Sequence, residues 1–254
     1  MQVEERIRAL GFSEDDVRTL AAHFLDAERR GKRGHGLARV EWLERFEGLN
    51  PGARPECVVA EACYERWEGR GALGYLTLAA ICDGQLDDPP EAARLIVAHD
   101  CFPTGMLGYW VRRLAEGGLV AVLTATSPAR LAPPGGGPKL AGTNPLAIAI
   151  PSSTGAPIVS DVSMGRVTHG DVIAGTASED DLIPFGGEHA YKAFALAIGL
   201  QLFVDALAGD GYGAVLVVAQ PAADPVPAFR VRAAGVRLPG DDMSQGLTLD
   251  MSDG

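Results

Sequence analysis

Cysteine, aromatic side chains and basic charge are all scarce in this chain. Its four cysteines, at positions 57, 63, 82 and 101, never form a C-x-x-C pair. That spacing excludes the usual zinc ribbon or dithiol redox centre, and no metal site is expected. Buried thiols in a reducing compartment are the plain reading. The charged start MQVEERIRAL reads as helix rather than as a secretion signal, so a cytoplasmic protein is expected. Lys and Arg number 22 against 33 Asp and Glu, a formal charge of -11. A surface of that sign is a poor partner for nucleic acid or an anionic membrane. It does not exclude a small anionic substrate, because a few local cations outvote the global field. The longest apolar runs, such as Ala193 to Val204, end at Gln201 and Asp205 and are expected to be too short to span a bilayer. Neither H-E-x-x-H nor G-x-S-x-G occurs, which removes the commonest metalloprotease and serine hydrolase signatures. Gly135-Gly136-Gly137-Pro138-Lys139 lacks the G-K-[ST] ending of a phosphate loop, and Gly209 to Gly213 precedes a strand where a dinucleotide fingerprint would follow one.

What is present is a 254-residue chain, 47% hydrophobic and rich in Gly and Ala, enough for one sizeable core or two small ones. Ser13 with Asp16 predicts a helix start, stapled by Phe12 and Val17. Val17, Leu20, Ala21, Phe24 and Leu25 then share one face, and Arg29-Arg30-Gly31 closes the helix. His23 falls off that stripe and reads as exposed. A second helix is predicted from Gly36, with Leu37, Val40, Leu43 and Phe46 as its apolar positions. Beyond Val58 the spacing predicts strands over Leu95–Ala98, Leu119–Thr124, Leu146–Ile150, Pro157–Val162 and Ala214–Ala219. Helices are predicted over Tyr109–Glu116 and Phe194–Leu207. There is no regular βα alternation. The expected division is a helical segment over 1–50, a mixed α/β core over 51–242 and a frayed tail over 243–254.

One stretch carries chemistry on its own terms. In RRGKRGHGLARVEWL, His35 and Arg39 stand four residues apart at the start of the second helix, so they face the same way. Arg39 suits a carboxylate, held in bidentate fashion, and His35 suits proton donation to the adjacent carbonyl or imine. A helix N-terminus disfavours imidazolium, so a lowered pKa is expected for His35. The bland alternative is a surface histidine on a flexible turn.

RGKRGHGLARV resembles the S-H-G-x-x-R element of the type-2 malate/L-lactate dehydrogenase family, which includes ureidoglycolate dehydrogenases and piperideine-2-carboxylate reductases. Further matches follow in order. MLGYWVRRLAEGGLVAVLTATSPARLAPPGGGPKLAGTNPLAIAIP resembles the family's G-Y-Y helix and L-G-T-N-P-x-A segment. PIVSDVSMGRV resembles V-L-D-M-A-T-S, IPFGGEHAYKAFALAI resembles L-P-F-G-G-x-K-G-Y-G-L-A-L, and VRLPGDD resembles R-x-P-G-E. The resemblance implies an α/β, non-Rossmann fold with a mixed sheet and a helical N-terminal segment, an NADPH or NADH cofactor and a homodimer. It places His35 and Arg39 at the substrate end. Thr143, Asn144, Asp161, Val162, Ser163, Lys192, Gly240 and Asp241 fall at cofactor-binding positions. Taken alone, each of these has a bland reading as a turn or strand-end residue. Lys139 and Arg166 are candidate partners for a ribose phosphate.

The pattern breaks in three places. The family serine before the histidine is Gly34. The family's N-x-H-F-G histidine, a proton acceptor in some members, falls on Pro103, which has no ionisable group. His189, near Lys192, is a candidate replacement. The chain is also short between Ile173 and Pro184 and after Gly209. Alcohol oxidation needs a base for the hydroxyl proton, whereas an iminium already carries the charge that invites hydride. The expected function is therefore NAD(P)H-dependent reduction of a small carboxylate-bearing cyclic imine or 2-oxo acid, in specialised biosynthesis. Two alternatives stay open: a non-redox cyclisation, elimination or isomerisation with His35 as acid/base, and a non-catalytic binding protein.

Overall fold

The computed structural model describes residues 3–241, so the expected tail over 243–254 lies outside the described residues. The chain opens with helices α1 (Val3–Ala9), α2 (Glu14–Arg29) and α3 (Leu37–Leu43). Strands β1 (Glu56–Glu61) and β2 (Tyr64–Glu68), helix α4 (Gly74–Asp87), strand β3 (Ala93–His99) and helix α5 (Leu107–Glu116) follow. Then come strands β4 (Val120–Ala125), β5 (Leu146–Ile150) and β6 (Ile158–Val162) and helices α6 (His169–Ile173) and α7 (Ala190–Ala208). Strand β7 (Gly213–Ala219) and helix α8 (Val226–Arg232) end the described chain.

The seven strands form one mixed sheet in the order β1-β2-β3-β7-β4-β5-β6. The β2–β3 pair is parallel and the other five are antiparallel. The last strand in sequence is thus the central one, held between β3 and β4. This is the mixed, non-Rossmann α/β arrangement expected. Alternation along β7 gives the sheet two working faces. Leu216 and Val218 join Phe24, Leu78 and Trp110 in the main core, on the side covered by α2, α4 and α5. Val215 meets Val97, Val204 and Ala208 beneath α7 on the other side.

Ser13 caps α2 as expected, its hydroxyl accepting from the Asp16 N–H at 3.3 Å. Predicted strands and helices are found within a few residues of their expected limits. The expected exposure of His23 is wrong: it is fully buried. Its Nε2 accepts the Met106 N–H at 3.0 Å, and its ring lies among Phe24, Tyr75, Tyr109 and Trp110. That backbone bond satisfies one ring nitrogen, while Nδ1 is buried without a partner. Helix α4 was not anticipated, because its sequence GYLTLAAICDGQLD is apolar nearly all round and lacks an amphipathic period. It is a core helix. Helix α7 also departs from expectation. With the turn before it, Gly187–Ala208 is long and apolar enough to cross a membrane by length and composition. In the fold its inner edge covers the sheet, while Leu196, Leu202 and Phe203 on its outer face are exposed.

Behind β2 and β3 lies a buried polar knot. Glu65 accepts from Gln85 Nε2 at 3.0 Å and from Trp67 Nε1 at 2.9 Å. Arg94 donates to Gln85 Oε1 at 2.8 Å and stands 3.2 Å from Glu65. Removing the cation leaves a buried carboxylate without its charge partner. The Arg94→Met variant is expected to lose about 3–5 kcal/mol of stability, read as a lower midpoint in chemical denaturation.

Candidate active site

Helix α3, the loop before α5, the ends of β4 and β6 and the turn into α6 converge on a cavity of about 740 Å³. That is within the usual size of a small-molecule site. His35 and Arg39 both line it, along with Trp42, Tyr75, Pro103, Thr104, Arg130, Thr143, Asp161, Ser163 and His169. A smaller cavity of about 260 Å³ adjoins it, sharing Lys32, Met106 and Asp161. Its walls include Arg30, Arg112, Arg237, Val162, Gly240 and Asp241.

Arg39 is buried. Its Nε donates to the Gly34 carbonyl at 2.9 Å, and its guanidinium carbon sits 5.3 Å from the Trp42 ring centroid. No carboxylate lies within ion-pair distance of it among the described residues. Burial pulls its pKa down. A desolvated guanidinium with two outer nitrogens facing a cavity and no counter-ion is costly unless a guest supplies the anion. His35 is likewise held neutral. Burial is the largest cause, with the Arg39 and Lys32 charges adding to it, and the pKa falls well below the ordinary imidazole value. The expected direction is correct, but the expected cause, a helix terminus, is not the main one. His35 Nδ1 is buried with no hydrogen-bond partner, and so is the Tyr75 hydroxyl.

The cofactor positions separate into three groups. Thr143, Asp161 and Ser163 line the large cavity, and Asp161, Val162, Gly240 and Asp241 line the small one. Asp161 also accepts the Gly108 N–H at 2.7 Å, capping α5, and burial raises its pKa. Asn144 is fully buried and occupied: its Nδ2 donates to Ala197 O at 3.1 Å and to Gln201 at 2.9 Å, and its Oδ1 accepts from Ser127 N–H. It braces the loop rather than facing either cavity. Lys192 is exposed on α7, outside both cavities, with its Nζ 5.9 Å from the Tyr191 ring centroid. His189 is also exposed and outside them. Lys139 and Arg166 line neither, and Arg166 pairs with Asp181.

The sequence reading passed over Arg112, Arg130, His169 and Tyr75. Their only signal is three-dimensional, since each lies on an element whose pattern is satisfied by ordinary packing. It also left Gly34 unexplained. The backbones of Gly34 and Gly170 pack against each other so closely that a Cβ on either would overlap the other's main chain. Serine cannot enter at 34 while Gly170 holds its place. Gly105 is constrained too: its φ is +71°, and a Cβ there would overlap Tyr75 and His23.

Two expectations follow. Gly34→Ser, which restores the serine of the resembled pattern, costs about 1–3 kcal/mol through overpacking, read by denaturant titration. The second concerns acid. His23, with a pKa pushed down to about 3 by burial, binds no proton in the fold where the unfolded chain binds one. Stability is therefore lost as pH falls through the window from about 6.5 towards 3, by up to about 1.4 kcal/mol per pH unit for this group. His99 opposes this, because its bond to Glu68 raises its pKa. His23→Gln is expected to flatten the acid limb of a plot of melting temperature against pH.

Comparison with known proteins places the chain in a family. A profile described as malate/L-lactate dehydrogenase matches residues 1–181. The chain is 31% identical over 171 residues to a (2R)-3-sulfolactate dehydrogenase (NADP(+)) of Chromohalobacter salexigens, covering 66% of this chain and 51% of that protein. It is 29% identical over 231 residues to a Delta(1)-pyrroline-2-carboxylate/Delta(1)-piperideine-2-carboxylate reductase of Pseudomonas putida, covering 80% and 67%. The chain thus spans about half the length of the first relative and two thirds of the second. Two solved structures share its fold. Malate dehydrogenase from Entamoeba histolytica has a TM-score of 0.81 at 17% identity, covering 94% of this chain and 84% of that one. Delta1-piperideine-2-carboxylate reductase from Pseudomonas syringae has a TM-score of 0.78 at 22% identity, covering 94% and 88%. With a family profile running through more than half of its length, and with His35 and Arg39 meeting in one cavity, the chain belongs to the malate/L-lactate dehydrogenase family.

Proposed function

We propose that this protein is an NAD(P)H-dependent reductase of a small carboxylate-bearing cyclic imine or 2-oxo acid. The observation that carries this reading is Arg39, a buried guanidinium without a carboxylate partner among the described residues, in the same cavity as His35 and its unpartnered Nδ1. Arg39 takes the substrate carboxylate through its two outer nitrogens. That fixes the neighbouring C=O or C=N group beside His35, which donates to the heteroatom.

A bound reduced nicotinamide would supply the hydride. The residues present fit such a cofactor. The two cavities meet at Lys32, Met106 and Asp161, so an extended molecule can lie across both. The smaller one gathers Arg30, Lys32, Arg112 and Arg237; Arg112 Nη1 makes no hydrogen bond there and stands 3.6 Å from Asp26. Such a wall suits phosphate groups. Thr143, Asp161 and Ser163 would face the nicotinamide end, and Val162, Gly240 and Asp241 the other. The preference for an imine rests on Pro103, which lines the cavity and has no proton to exchange, because an iminium needs none from the protein to accept hydride.

The same proposal includes a homodimer. The outer face of α7 exposes Leu196, Leu202 and Phe203, with Leu202 63% exposed, and it carries no acid to repel a second copy. Lys192, outside this chain's own cavities, would then act on cofactor only from a partner subunit. Residues 1–50 would serve as the segment that supplies the substrate end, and 51–242 as the part that holds cofactor. The unpaired cysteines, two of them buried, support a cytoplasmic setting.

The test is to mix the purified protein with NADPH or NADH and either a cyclic imino acid or a 2-oxo acid, and to follow loss of the reduced cofactor. Arg39→Lys, which keeps the charge but loses the fork, is expected to raise KM for the acid by about tenfold to a hundredfold. Its affinity for cofactor, measured by calorimetry, should stay unchanged. Absence of both turnover and nicotinamide binding in the parent protein would overturn the proposal in favour of a non-redox reaction.

A further inference from the structure

The large cavity holds a second imidazole. His169 is the first residue of α6, directly after Thr168, whose side chain accepts the Asp171 N–H at 3.2 Å while Asp171 Oδ2 accepts the Thr168 N–H at 2.7 Å. This reciprocal cap fixes the backbone from which His169 projects. The side chain is about a quarter exposed, at 28%. Its Nε2 lies 3.6 Å from Glu179 Oε1, and Arg130 Nη1 lies 3.5 Å from the same oxygen. One carboxylate therefore stands behind both an imidazole and a guanidinium, and both of these line the cavity. With Nε2 turned to Glu179, Nδ1 is the nitrogen left for a guest.

The position relative to His35 is equally specific. Gly34 and Gly170, whose backbones touch, are the immediate chain neighbours of His35 and His169. This tight backbone contact between the turn before α3 and the start of α6 is thus flanked by one histidine from each. That contact is also why the chain tolerates no side chain at 34 or 170. At 3.6 Å Glu179 is too far for a hydrogen bond to His169 but close enough for an ion pair with its protonated ring, so it favours the form that can give a proton.

We propose that His169, backed by Glu179, is a second catalytic residue and carries the net proton for the substrate heteroatom, the part for which Pro103 has no group. This rests on the reductase reading above. For a 2-oxo acid the balance is as follows. Hydride from the reduced nicotinamide forms the new C–H bond. The C=O π pair moves to oxygen. That oxygen takes the proton from the His169 imidazolium, leaving a neutral imidazole that solvent reprotonates. The cofactor is oxidised and the carbonyl reduced. His35, more deeply buried, gives the oxygen a hydrogen bond without having to change charge. An iminium substrate already bears its proton on nitrogen, so its reduction bypasses His169.

The charges around His169 make its proton depend on a bound acid. Burial, Arg130 and Arg39 lower its pKa to about 4, and Glu179 raises it. Asp171, on the same helix, is taken up by the cap at Thr168. A carboxylate guest on Arg39 offsets one of the opposing charges, so binding draws a proton onto His169.

The experiment has two arms. In the first, parent protein, His169→Gln and Glu179→Gln are assayed with NADPH and either a 2-oxo acid or Delta(1)-piperideine-2-carboxylate. His169→Gln is expected to lower kcat for the oxo acid by about a hundredfold or more, with KM little changed and imine reduction retained. Glu179→Gln is expected to shift the pH profile for the oxo acid without abolishing it. In the second arm, oxamate, an unreactive acid, is titrated against the NADPH-bound protein while histidine ring protons are followed by NMR. The His169 signal, assigned by its loss in His169→Gln, should move its titration to higher pH. Equal oxo-acid rates in parent and His169→Gln would overturn the proposal, and so would a His169 titration indifferent to oxamate. A parent protein that neither reduces either substrate nor binds NADPH refutes the reductase reading, and the oxamate titration repeated without cofactor then decides whether His169 takes up the proton.

Discussion

The site is organised around a positive charge that the fold buries without neutralising. Arg39 gains one hydrogen bond, to the Gly34 carbonyl, and the face of Trp42. Neither replaces the water it has given up. Elsewhere this chain pairs its buried or half-buried cations with care. Arg94 has Glu65 and Asp88, Arg66 has Glu68, and Arg230 has Asp241. Arg39 departs from that rule among the described residues, and it does so on the wall of the 740 Å³ cavity, which is the ground for the anion site proposed above. The neutral state of His35 follows from the same charge, since Arg39 is one of the causes that hold its pKa down.

Two glycines make that arrangement possible. The contact between Gly34 and Gly170 brings the turn before α3 onto the turn before α6, so that residues far apart in sequence face one cavity. It also accounts for a departure from the resembled pattern. The glycine at 34 belongs to a tight contact between two main-chain segments, in which a side chain has no room. Pro103 is a different kind of departure. It still lines the cavity but brings no proton, which leaves the proton chemistry to groups on other elements.

Much of the fold was legible in the sequence. The capping of α2 by Ser13, the limits of β5 and the apolar pattern of β7 are local properties, and they hold in the structure. Helix α4 escaped because a helix buried on every side has no amphipathic period to read. His23 was misjudged because a position off the stripe of one helix is still covered when α4 and α5 pack from the other side. His35 and Arg39 do line one cavity, but not as one helical turn: His35 ends a short 3-10 turn over Arg33–His35, and Gly36, which is not helical, separates it from α3. Asn144 and Lys192 stood in the right motif. Burial engages the first in bracing a loop, and the second is carried away from both cavities on the exposed side of α7.

By itself, then, the sequence determined the family and the mixed α/β class and singled out His35 and Arg39 as candidates, because each is written in short-range order along the chain. The tertiary structure alone decided which charges remain unpaired, why residue 34 is glycine and which further imidazole shares the cavity. Those depend on distances between segments that no spacing along a single strand or helix encodes.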